Sequence, residues 1–218
     1  MKTLIIGANG QVGKQLVEKL AKHIDITPIA VIRKAEQKAF FDELNVETRF
    51  LDLEEDLPKY EGVFTGVECV IFTAGSGGHT GADKTMLIDL DAAVKSIDTA
   101  NKLGVKRFVM VSSFDTTRAA IQEADSGFRP YVVAKHYADN HLRASGLDYT
   151  ILHPGILSDD AETGKVKVAE RLEVAKITRA DVAEVLKTVI ENDDTIGQEF
   201  QVINGDVEIE EAIKANLS

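Results

Sequence analysis

Ser113, Tyr131 and Lys135 are the residues of this chain whose types and spacing could do chemistry together. Tyr131 and Lys135 are four positions apart, so on a helix they stand one turn from each other on the same face. An ammonium placed there favours the loss of a proton from a phenol. Such a phenol can exchange that proton with a carbonyl or alcohol oxygen. Ser113 ends the stretch Val111-Ser112-Ser113, just past an apolar run, where a hydroxyl can orient the same oxygen. A Tyr-xxx-Lys pair alone is equally a core tyrosine beside a surface lysine, so its meaning depends on what accompanies it.

What accompanies it is the run Leu4-Ile5-Ile6-Gly7-Ala8-Asn9-Gly10-Gln11-Val12-Gly13. A short apolar stretch meets three glycines at the spacing GxxGxxG, and a helical pattern follows with Val12, Leu16, Val17 and Leu20 on one face. Strand, glycine turn and helix N-terminus make a site for a dinucleotide pyrophosphate. Glycines let the backbone approach the phosphates, and free N–H groups meet their charge. Gly7, Asn9, Gly10, Gln11, Val12 and Gly13 are the candidate contacts. Hydride transfer at a nicotinamide would then be the partner of the proton transfer at Tyr131.

In an open parallel sheet, ligands bind beyond the C-terminal strand ends. After the second apolar run stand Arg33 and Lys34, with no acid in place to hold a ribose 2′-hydroxyl. A guanidinium and an ammonium suit a 2′-phosphate, so NADP is expected ahead of NAD; the plainer reading is a solvated basic pair. After the third run, Asp52 and Leu53 could receive the adenine, or Asp52 could be a solvated loop residue among Glu54, Glu55 and Asp56. After the fourth come Thr73, Ala74 and Gly75, small enough for the backbone to run beside a cofactor. The glycine-rich continuation through Gly81 could equally be a surface loop.

The elements that must position these groups follow from periodicity. Strands are expected at residues 3–6, 27–32, 46–50, 69–72, 108–111 and 149–152, with helices at 11–21, 35–44, 84–103 and 131–144. Gly104 is placed to end the third of those helices. Near-continuous apolar strands alternating with helices predict an α/β fold, a doubly wound parallel sheet of the Rossmann type. Pro154-Gly155 is expected to open a loop, followed by a short strand at 165–169 and a helix capped by Thr178 with Asp181 three residues on. A strand at 199–203 and a helix from Glu208 close the chain. Residues 1–218 read as one domain, those from about 154 forming a small substrate-side extension.

Composition bounds the partners. Lys and Arg number 25 against 36 Asp and Glu, a net charge of −11, which argues against nucleic acid and anionic membranes. No apolar run approaches the ~20 residues of a membrane helix, and Met1 leads directly into a strand, so a cytoplasmic protein is expected. No metal site is expected. The single cysteine, Cys69, lies in an apolar strand and reads as a buried, inert thiol.

The glycine turn, Val111-Ser112-Ser113, Tyr131-xxx-Lys135 and Pro154-Gly155 together resemble the short-chain dehydrogenase/reductase superfamily. The stretch 134–151 and Thr178-Arg179-Ala180-Asp181-Val182-Ala183 are similar to its compact, atypical NAD(P)H-binding branch, often labelled epimerase/dehydratase. The resemblance covers nearly the whole chain. It implies that the backbone at Gln11 and Val12 meets the pyrophosphate, Lys135 the nicotinamide ribose, and Pro154, Gly155 and Ile156 the carboxamide. Where the branch usually has Arg before Pro-Gly, this chain has His153, which could face a substrate or be a hydrogen-bonded residue at a strand end. The gap from Ser113 to Tyr131 is shorter than in sugar-nucleotide epimerases.

The expected function is an NADPH-dependent oxidoreductase reducing a small carbonyl, quinone or flavin-like acceptor. Lys135 assists Tyr131 as proton donor, and Ser113 positions the oxygen. Its acceptor site would draw on His79, Phe114, Phe128 and Leu157. The alternative is a non-catalytic NADP-binding redox sensor. A sugar-nucleotide epimerase or dehydratase ranks behind both, since only about 65 residues follow the sixth strand. The oligomeric state, monomer or homodimer, is open.

Overall fold

The computed structural model describes residues 1–78 and 80–217. The strands are β1 (Lys2–Ile6), β2 (Thr27–Ile32), β3 (Glu47–Phe50), β4 (Cys69–Phe72), β5 (Arg107–Val111), β6 (Asp148–Pro154), β7 (Ile156–Ser158), β8 (Lys165–Ala169), β9 (Lys176–Thr178), β10 (Gln198–Asn204) and β11 (Val207–Glu208). The helices are α1 (Gln11–Leu20), α2 (Lys38–Glu43), α3 (Leu57–Phe64), α4 (Ala82–Lys84), α5 (Ala92–Leu103), α6 (Arg118–Glu123), α7 (Arg129–Ala144), α8 (Arg179–Ile190) and α9 (Ile209–Asn216). Their main sheet has the order β11-β8-β10-β6-β5-β4-β1-β2-β3, parallel from β3 across to β10. The order reverses between β1 and β4, the switch point at which a Rossmann sheet opens a crevice.

Alternation of side chains splits the core into two layers. Ile5, Ile71, Val109 and Leu152 face Leu16 and Val17 of α1 and Val182, Val185 and Leu186 of α8. Leu4, Ile6, Val70, Phe72, Phe108 and Met110 face Ala93 and Ile97 of α5 and Ala138 and Leu142 of α7. Both faces are thus covered, as apolar parallel strands require. Gly104, in the left-handed region at φ +72°, ends α5 as expected, and the Thr178 hydroxyl accepts from Asp181 N–H at 2.9 Å to cap α8.

The structure departs from the periodicity in four places. α3 and α6 were hidden by acidic and mixed sequence. Each announces itself only by a cap, Asp56 accepting from Leu57 N–H and Thr117 from Ala120 N–H. The long central helix contains a π-helical segment, Thr85–Asp91, between α4 and α5. Pro154 does not open a loop: it ends β6, and Gly155 joins it to β7, which pairs with β9. The Gly155 N–H reaches Val202 O at 2.9 Å and a Cβ there would lie 2.1 Å from Ala175 O, so neighbouring strands hold this corner extended. Finally, β10 inserts as a further parallel strand beside β6, with β8 and β11 antiparallel at its edge.

Two of the three glycines of the N-terminal turn are needed for close approach. Gly7 has φ +89°, and a Cβ on it would stand 2.7 Å from Ala74 N. A Cβ on Gly13 would stand 2.3 Å from Gly7 O and 2.8 Å from Ala8 Cα, so α1 rests directly on the turn. Gly13→Ala is therefore expected to lower the unfolding free energy by about 1–3 kcal/mol in urea titrations. Gly62, in α3 with nothing within 4 Å of its would-be Cβ, is the control: Gly62→Ala should raise it by about 0.5–1 kcal/mol.

Candidate active site

Parallel pairing in register brings five strand ends to one edge of the sheet. Ile6 stands beside Phe72, Phe72 beside Met110, and Val111 beside Leu152. Gly7, Arg33, Thr73, Ser112-Ser113 and Gly155 therefore emerge along a single line. Above it sits the N-terminus of α1, whose cap residue Gly10 offers no side-chain hydrogen bond and whose first turn has no acid. The first N–H groups of a helix lack intrahelical partners and attract anions. With the glycines stripped of any Cβ, this cradle fits a dinucleotide diphosphate against Asn9, Gly10, Gln11, Val12 and Gly13. Thr73 fixes the facing wall: its N–H and Oγ1 both donate to Ile6 O, at 2.8 and 3.0 Å.

Arg33 is exposed directly past β2, and among the described residues its guanidinium has no ion-pair partner. The backbone there is set by Gln37, whose Oε1 accepts from Arg33 N–H at 2.8 Å and Lys34 N–H at 3.1 Å. Lys34 Nζ stays 3.8 Å from Glu36. Asp52 is partly committed to its own loop, accepting from Glu54 N–H at 3.1 Å. The neighbouring Leu53 carbonyl accepts from Tyr60 Oη at 2.7 Å. Pro154 and Gly155 are buried at the corner, while Ile156 is 58% exposed. Ala74 is buried, and a Cβ on Gly75 would meet Asp89 Oδ1 at 3.0 Å.

The chemical residues lie on α7, which packs across the end of β5. Lys135 is 3% exposed. Its Nζ donates to Val111 O at 3.3 Å, lies 3.4 Å from Asp89 Oδ1 and stands 5.7 Å from the centre of the Tyr131 ring. Burial pulls the Lys135 ammonium toward neutrality, but Tyr131, Asp89 and Asp139 oppose it and leave the group above its ordinary range. Lys135 is thus a fixed positive charge beneath a half-buried phenol. The Tyr131 ring leans on Phe128, 5.2 Å between centroids. Neither the Tyr131 nor the Ser113 hydroxyl has a protein hydrogen-bond partner among the described residues, whereas Ser112 is fully committed, donating to Asp139 Oδ2 at 2.8 Å. His153 is buried and hydrogen-bonded at the end of β6, with Nδ1 2.6 Å from Ser113 O. His79 lies outside the described residues.

Two residues of this centre were missed by the motifs, Asp89 and Asp139. Asp89, fully buried in the π-helical segment, faces Lys135 and also accepts from Ser76 N–H at 3.0 Å. It ties the loop after β4 to α7. Asp139 accepts from Ser112 and Thr116, and its Oδ1 has no hydrogen-bond partner. Burial holds its carboxyl above the usual range, against the pull of His153, Ser112, Thr116 and Lys135. A signal did exist for both. Asp89 continues the stripe of Ala92, Ala93, Ser96, Ile97 and Ala100, and Asp139 that of Lys135, Ala138 and Leu142; an acid on a buried stripe must have a partner. Cys69 is buried and its thiol is pushed up to about 12 by burial, so it is inert. No metal-binding cluster occurs among the described residues, and none of their helices is long and apolar enough to cross a membrane.

Removing the Asp89 carboxylate would leave the Lys135 charge buried without its ion-pair partner. Asp89→Ala is expected to cost about 3–5 kcal/mol in chemical denaturation, and Asp89→Asn, which keeps an acceptor, measurably less.

Known proteins resemble this chain over nearly its whole length. The Bacillus subtilis protein YhfK, named an uncharacterized sugar epimerase, is 42% identical over 214 residues, covering 98% of this chain and 99% of its own. A solved Bacillus halodurans protein, provisionally described as an NAD-dependent epimerase/dehydratase, is 41% identical with TM-score 0.92 and 99% of both chains covered. ChuY of Escherichia coli O157:H7, an anaerobillin reductase, is 26% identical with TM-score 0.80, over 95% of this chain and 99% of that one. The fold is the Rossmann fold that these NAD(P)-binding relatives share. A family model of NAD(P)H-binding proteins matches residues 7–193, beginning at the first glycine of the turn, and the chain belongs to that NAD(P)H-binding family.

Proposed function

We propose that the protein is an NADPH-dependent reductase of a small carbonyl, quinone or flavin-like acceptor. The observation that carries this reading is the buried Lys135 ammonium, 5.7 Å from the Tyr131 ring, at the same sheet edge as the glycine cradle. The reduced nicotinamide, when bound, supplies a hydride. Tyr131 supplies the proton at the acceptor oxygen, Lys135 stabilises the phenolate left behind, and Ser113 orients that oxygen. The dinucleotide would rest on residues 9–13, with Thr73, Ala74 and Gly75 on one side and Pro154, Gly155 and Ile156 on the other. Arg33, assisted by Lys34, would take the 2′-phosphate, and Asp52 and Leu53 the adenine.

The names of the Bacillus relatives favour a sugar epimerase. Against that stands the use of the C-terminal third, whose β10 and α8 complete the sheet and its helix layer rather than a separate sugar-binding domain. A reductase consumes NADPH in proportion to acceptor, an epimerase returns its dinucleotide unchanged, and a sensor binds NADPH without turnover. Absorbance at the nicotinamide band with menadione, an aldehyde panel and free flavin separates the first from the other two, and conversion of a nucleotide-sugar panel separates those.

Two substitutions test the assignments. Arg33→Ala should weaken NADPH at least about tenfold and leave NADH within about twofold, since one charge-assisted hydrogen bond is worth about 1.5–3 kcal/mol. Equal weakening of both would refute the 2′-phosphate role. Tyr131→Phe should lower kcat about a hundredfold with NADPH affinity unchanged, the usual size of a general-acid contribution.

A further inference from the structure

The parallel ladder between β5 and β6 ends at the Ser112 N–H, which donates to Leu152 O at 2.8 Å. Ser113 is the next residue, so the ladder no longer fixes its peptide. What does hold it is His153, whose Nδ1 stands 2.6 Å from Ser113 O. A carbonyl oxygen only accepts, so Nδ1 carries the hydrogen. The other ring nitrogen, Nε2, lies 3.6 Å from Glu199 Oε2 on β10. Glu199 is gripped in turn by Arg143 of α7, whose Nε and Nη2 both donate to Oε2 at 3.1 and 2.6 Å. The imidazole is only 7% exposed, so its orientation is fixed by these contacts rather than by water.

We propose that His153, held by Glu199 and Arg143, is a positioning residue for Ser113: by gripping the Ser113 carbonyl it sets the direction of the serine hydroxyl at the acceptor oxygen. The proposal rests on the reading of Ser113 as the residue that orients the acceptor. It gives a role to three residues from β6, α7 and β10 that no motif singled out as a set. Their outer side borders a hollow of about 270 Å³ lined by Phe114, Arg118, His136, Glu199 and Gln201 among others, which opens Glu199 to solvent. Gln201 keeps that arrangement closed on the inside: its Nε2 donates to Phe114 O at 2.7 Å and its Oε1 accepts from Leu172 N–H at 2.6 Å.

The contact is sensitive to proton uptake. Glu199 faces His153 from β10, Asp139 and Arg143 approach from α7, and Asp115 and Arg171 pair with each other at the mouth of the hollow, 3.3 Å apart. Burial pulls the imidazole toward neutrality, but Glu199, Asp139 and the Ser113 carbonyl outweigh it and hold the group above its ordinary range. The His153 imidazole 3.6 Å away and the Arg143 guanidinium hydrogen-bonded to it hold the Glu199 carboxyl down at about 2. The pair is therefore fully charged from above the Glu199 value up to the ordinary histidine value, about 6.5. It weakens as pH rises through the raised folded value.

Two measurements test the proposal. The first follows the histidine ring nitrogens and the Phe114 amide, which shares its peptide group with Ser113 O, by NMR across a pH titration. Both should report one midpoint, and Glu199→Gln should move both down together, by about one pH unit. A Phe114 amide blind to the His153 titration overturns the grip. The second is NADPH oxidation with menadione. His153→Gln, which keeps a donor but no charge, should lower kcat about tenfold, flatten its alkaline decline and leave the NADPH KM within about twofold. Unchanged kcat, or kcat and KM altered in the same proportion, overturns the positioning role. Should the parent protein oxidise no NADPH, the reductase reading falls, and the NMR titration still decides whether His153 holds Ser113.

Discussion

A lysine ammonium cannot be enclosed in a protein without a partner, and Lys135 is enclosed almost completely. That constraint organises the centre of the molecule. The charge needs Asp89, and Asp89 lies in the π-helical segment that precedes α5. Asp89 also holds the Ser76 N–H, and Lys135 holds the Val111 carbonyl. One ion pair therefore joins the loop after β4, the end of β5, the central helix and α7. π-helical turns are wound against local preference and are found mostly where function requires a side chain in an unusual place. Here the side chain is the carboxylate that makes a buried cation tolerable.

The glycine cradle depends on a different kind of constraint, the absence of atoms. Gly7 and Gly13 leave no room for a Cβ, and α1 approaches the end of β1 only because of that. The result is a helix N-terminus with neither a capping side chain nor an acid, facing the crevice at which the strand order reverses. A lone glycine pattern has many uses. This one acquires its meaning from the sheet edge that gathers Arg33, Thr73, Ser113 and Gly155 around it.

Polar contacts between distant strands account for much of what the site adds to the generic fold. His153 and Ser113 are 40 residues apart, and Gln201 and Phe114 are 87 apart. Arg107 does similar work on the opposite face, donating to Asp148 O, Thr150 Oγ1, Val189 O and Thr195 Oγ1, so that β5, β6 and the end of α8 are pinned together. Burial of these groups without hydrogen bonds would be costly, so each network also fixes a unique register.

Local sequence determined the parts of this protein that local physics governs. Periodicity and caps placed the main strands and most of the long helices, and the glycine spacing marked the close turn between β1 and α1, because these depend on residues within one or two turns of each other. The pairing of Tyr131 with Lys135 was legible for the same reason. The tertiary structure alone decided that Ser112 is committed to Asp139 while Ser113 is left free, that Pro154 continues a strand, and that β10 slots in beside β6. It also decided that Asp89 pairs with Lys135 and Asp139 with Ser112, although each acid lay on a stripe that required burial. Such facts concern groups tens of residues apart, and no periodicity encodes them. They arise only when strand register sets which side chains meet and the exclusion of water obliges each buried charge to find its partner.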